Sequence, residues 1–91
     1  MSTIYNAPKD LAESLQALDA MTLPATAQQI LSEVLRSLDQ AEHAADVDTY
    51  LAEAGGLILG FQQGDAVGRE EGKQLNRIFE AMASNTRRSL A

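Results

Sequence analysis

Few side chains in this sequence could carry chemistry. His43 is the sole histidine among 91 residues. Asp39 stands four residues before it, Glu42 beside it and Asp46 three residues after it, so on a helix Asp39, His43 and Asp46 would share a face. Formally this is a carboxylate–imidazole–carboxylate set able to hold a divalent metal. Metal sites in helical bundles draw Glu and Glu-x-x-His from several helices, and a single histidine cannot furnish that set. The expectation is a solvated helix end with no metal. Glu70 and Glu71 resemble an acid/base pair only in sequence, because adjacent helical residues diverge by about 100°. With no cysteine there is no thiolate ligand or nucleophile. The glycines also lack the Gly-Lys-Ser/Thr ending of a phosphate loop. The residues therefore predict a protein that is not an enzyme and takes no cofactor.

Behind these side chains stands one dominant pattern. Glycine recurs at Gly56, Gly60, Gly64, Gly68 and Gly72. Inside one helix, five glycines should cost about 4–5 kcal/mol relative to alanine, so a close approach of another backbone is expected to repay them. At about 100° per residue, the arc that holds the glycines also collects Leu57, Phe61, Val67, Leu75, Ile78, Phe79 and Met82. The opposite arc carries Gln62, Gln63, Asp65, Arg69, Glu70, Lys73, Asn76, Arg77 and Glu80. This predicts one amphipathic helix from about Asp48 to Ser84. Glu71 alone charges the apolar arc, as a device demanding a matching donor across an interface or as a side chain reaching water between small neighbours. The expected partner surface is Gly56, Gly60, Gly64, Gly68 and Gly72 with Phe61, Glu71, Leu75, Ile78, Phe79 and Met82. If the glycines are instead punctuation, Gly55-Gly56 ends one helix, Leu57 to Phe61 forms a short buried strand or turn, and Gln63-Gly64-Asp65 is a loop.

Two shorter helices are predicted ahead of it. The first runs from about Ala7 to Ala20, with Asn6 as N-cap, Pro8 in the first turn and Leu11, Leu15 and Leu18 on one face. Pro24 breaks the chain, and Thr26 with Gln29 has the spacing of a capping box. The second helix runs to about Ala44, with Ala27, Leu31, Val34, Leu38, Ala41 and Ala45 as its stripe, widened by Ile30 and Leu35. The third is capped by Asp46 or Asp48. Ile4 and Tyr5 could dock on the core. The whole reads as one all-α domain over 1–91, a small helical bundle of two shorter helices and one long glycine-repeat helix, with 1–6 and 86–91 as flexible ends.

The segment G-F-Q-Q-G-D-A-V-G-R-E-E-G-K resembles the glycine-every-fourth-residue helices of flagellar and type III export-ATPase regulators. It is also similar to those of eukaryotic adaptors that help deliver iron–sulphur clusters. The resemblance spans residues 56–73, carries over only the five glycines, and implies close helical pairing and an adaptor role.

Charge narrows the partners. Thirteen acids against seven bases give a net charge of −6, which disfavours direct nucleic-acid binding. Residues 1–66 hold ten acids and two bases, and residues 67–91 three acids and five bases, so antiparallel self-association would join unlike ends. The longest apolar run, Ala54 to Phe61, is too short to span a membrane, and no signal peptide is read at the N-terminus. A cytoplasmic protein follows as the expectation, also from the lack of cysteine. Its function is expected to be that of an adaptor, small chaperone or inhibitor, self-associating as a homodimer or binding a partner helix through the glycine face. The rival reading is an acidic regulator that displaces nucleic acid by presenting Asp39, Glu42, Asp46, Asp48 and Glu53 where phosphates would sit.

Overall fold

A computed structural model describes residues 10–91, and these residues form four helices with no strand. They are α1 (Leu11–Ala20), α2 (Ala25–Asp39), α3 (Ala44–Gln63) and α4 (Arg69–Leu90). The all-α class stands. The helix count does not: the expected long helix from Asp48 to Ser84 is two helices, broken between Gly64 and Gly68.

The N-cap of α1 is Asp10, whose carboxylate accepts from the Glu13 N–H at 2.8 Å. The expectations at Ile4, Tyr5, Asn6, Ala7 and Pro8 lie outside the described residues. Removing the Asp10 carboxylate orphans a first-turn N–H, so Asp10→Ala should lower stability by about 1 kcal/mol. Chemical denaturation checks this as a shift in midpoint at constant slope.

In α2 the N-cap is Pro24, which bonds through its carbonyl to the Gln28 N–H at 2.9 Å. No side chain caps this end, and the box expected from Thr26 and Gln29 does not form because Thr26 is already helical. Gln28 instead donates from Nε2 to Asp19 at 2.6 Å, tying the start of α2 to the end of α1. The predicted stripe buries Ala27, Leu31, Val34, Leu35 and Leu38. The helix stops at Asp39 rather than Ala44, so Ala45 belongs to α3. His43, in extended backbone, is the N-cap of α3 and accepts through its carbonyl from Asp46 and Val47. Neither Asp46 nor Asp48 is the cap, and no Gly or Pro marks this turn in the sequence.

The break after α3 has a definite local cause. The Asp65 N–H bonds to the Gln62 carbonyl at 3.1 Å, and the Ala66 N–H to the Phe61 carbonyl at 2.9 Å. This reciprocal pair closes a helix when the next residue turns left-handed. The left-handed residue is Asp65, with φ 62°, the one non-glycine residue at positive φ among those described. Val67 then drops into the core. Gly68 opens α4, where its N–H donates to the Glu71 carboxylate at 2.9 Å.

Helices α2 and α4 each pack on all three others, while α1 and α3 flank them without touching. The core holds Leu18 of α1, Leu31, Leu35 and Leu38 of α2, Val47 and Ile58 of α3, and Leu75, Phe79 and Met82 of α4. Ser14, fully buried, donates its hydroxyl to the Met82 sulfur at 3.7 Å. At the far end of the hairpin Arg87 meets Asp48 at 2.6 Å. Residues 86–90, expected as a tail, continue α4 with Thr86 buried.

Candidate interaction surface

Because α3 packs with one face against α2 and α4, its opposite face looks outward. At about 100° per residue, Ala45, Thr49, Ala52, Gly56, Gly60 and Gln63 all fall within about 40° of one line along that face, and all six are exposed. A solvated helix face ordinarily carries charge. Here the nearest charges, Glu53 and Asp48, lie about 60° and 80° to the sides, Glu53 as far from the line as Leu59 is on the other flank. Leu59, 55 % exposed, stands on the same surface beside Gly55, Gly56 and Gly60. A Cβ at any of these three glycines would meet nothing within 4 Å. Even the Thr49 hydroxyl is withdrawn, donating to the Ala45 carbonyl of its own helix at 3.0 Å. The line of the face is smooth and uncharged, and its only polar side chains are Thr49 and Gln63.

The five glycines of the repeat therefore occupy four environments. Gly56 and Gly60 lie in the open on α3, Gly64 ends α3, Gly68 caps α4, and Gly72 is buried between the two helices. The expected approach of another backbone is not what crowds these glycines; at Gly72 a Cβ would collide with a side chain of the same chain, Gln62, whose Cδ would lie 2.8 Å away. The continuous helix implied by the resemblance is absent. Leu75, Ile78, Phe79 and Met82, expected at a partner interface, are buried in the chain's own core, and Phe61 packs against that core. Glu71 is no charge in a groove; its carboxylate caps α4 through Gly68. The Gly-x-x-Glu spacing ahead of an apolar run was a capping signal in plain view.

Among the described residues no three His, Cys, Asp or Glu side chains gather as a metal site. Asp39, His43 and Asp46 do not share a helix, since one ends α2, one caps α3 and one lies in the first turn of α3. The five carboxylates of the phosphate-mimic reading run from the end of α2 to the middle of α3, and Asp48 is engaged by Arg87. A cleft of about 380 Å³ between the end of α1 and α4 is lined by Met21, Ile78, Glu71 and Gln74. No described helix is long and apolar enough to cross a membrane. No protein-family model, curated protein or solved structure matches the chain.

Proposed function

We propose that this chain is a non-enzymatic, cytoplasmic interaction module of adaptor type, and that it self-associates through the outer face of α3. The observation that carries the reading is the exposed Leu59 standing next to three glycines with open space above them. A two-fold axis near the midpoint of Gly56 and Leu59 would set the Leu59 of each copy over the Gly55–Gly56 gap of the other. Knob and hole lie on one face, as an isologous contact requires. Three glycines inside α3 cost about 2–3 kcal/mol of helix propensity, and no packing within the chain repays them. The face, about 30 Å long, is a single helix wide, which is narrow for a stable complex. The pairing is accordingly weak and reversible, and the same face would accept a similarly smooth helix of another protein.

The test is solution mass by light scattering over a concentration series, for wild type and Gly56→Leu together. The substituted chain should remain folded and melt about 3–6 °C higher, from about 0.7 kcal/mol of added helix propensity, while its self-association is lost. A wild type monomeric throughout, or a reversible dimer of closed hairpins that survives the substitution, overturns the proposal.

A further inference from the structure

The α3–α4 hairpin turns on a connection of five residues. Gln62 lies against Gly72 and Asp48 against Arg87, so the two helices run antiparallel in one register around a connection of residues 64–68. Nothing in Gly64-Asp65-Ala66-Val67-Gly68 forbids helix: there is no proline, and neither glycine is held at positive φ. The one residue in an unfavourable backbone region is Asp65, and an α-helical conformation would relieve it. Projected on a single straight helix, Val47, Ala54 and Ile58 of α3 fall in the same arc of about 120° as Gly72, Leu75, Phe79, Met82, Ala83 and Thr86 of α4, with buried Ile78 about 40° and Val67 of the connection about 60° beyond its edge. The buried stripe thus keeps its phase across the turn, although a hairpin places no such demand on it.

We propose that residues 64–68 are a hinge, and that the chain forms a second dimer in which the hinge straightens and α4 packs on the α1–α3 of a second copy. Every core contact of α4 with α1, α2 and α3 is remade between chains. The difference between the two forms lies in the hinge itself. The closed form keeps the Asp65 and Ala66 bonds, the buried Val67 and the Gly68–Glu71 cap; the open form gains the helical hydrogen bonds through the connection. This inference is independent of self-association through the outer face of α3, which leaves each hairpin closed.

The experiment places spin labels at Ala12→Cys and Ser84→Cys, two exposed positions in a chain with no cysteine of its own. Labelled chain is diluted into unlabelled chain and refolded from denaturant at high concentration. In the closed form Ser14 touches Met82, so the labels are close. In the exchanged form Ser84 lies twenty-one residues beyond Gln63 on a straight helix, and the distance within one chain exceeds about 30 Å. The long distance should appear in the dimer fraction. Asp65→Ala, which loses tolerance of positive φ and gains helix propensity, should tighten exchange about tenfold; Asp65→Gly should weaken it about tenfold. Short distances in every dimer, or no difference between the two Asp65 variants, overturn the hinge. Gly56→Leu should leave the long-distance dimer intact, which separates failure here from failure at the α3 face.

Discussion

Gly72→Leu is expected to destabilise the fold by about 2–3 kcal/mol, although leucine is the better helix former. The site is buried between α3 and α4, and a branched side chain must displace Gln62 and push the helices apart. For a chain of this size such a loss lowers the melting temperature by about 10–20 °C. Gly72→Ala is the gentler probe, since Gln62 meets the added methyl with the end of a flexible side chain. Truncating that side chain tests the mechanism: Gln62→Ala should be harmful alone yet recover stability in combination with Gly72→Ala. The non-additivity in a double-mutant cycle is the signature of contact. Strict additivity, or Gly72→Leu melting above wild type, would place Gly72 outside the interface.

Phe79→Ala should be the most damaging single truncation, costing about 3–5 kcal/mol. Phe79 is 1 % exposed and is the largest fully buried side chain. It sits on α4, which packs on all three other helices, so the void cannot close by moving one neighbour. The total stability of a domain this size is about 5–14 kcal/mol, and the variant should stand at the edge of unfolding at 37 °C. Denaturant midpoints give the number. A cost below about 1.5 kcal/mol would mean that the core collapses around the gap and does not depend on this ring.

The sequence made the helical class legible because its stripes are long and periodic: Leu31, Val34 and Leu38 were placed on the buried face of α2 by spacing alone. The break after Gln63 was hidden by the same logic. Since Leu57, Phe61, Leu75, Phe79 and Met82 share one arc with the glycines, periodicity reads α3 and α4 as a single element. Glycine at every fourth position also removes the usual stop signal, because each looks equally like an ending. The residue that turns the chain is Asp65, not the neighbouring Gly64. Spacing likewise could not show which glycines were open and which closed, since Gly56 and Gly72 differ only in what the folded chain brings near them. The Arg87–Asp48 contact joins residues 39 apart, beyond any local pattern.

The placement of α4 also bears on how the chain comes off the ribosome. It is the last of the four helices to be synthesised, yet it covers apolar surface on each of the other three. Domains ordinarily fold as units as they emerge. Here α1, α2 and α3 must wait with the surface that α4 covers exposed while 22 further residues are added, about 1–4 s at ordinary elongation rates. During that interval the nascent chain exposes apolar helix faces of the kind that make unfinished folds prone to aggregate.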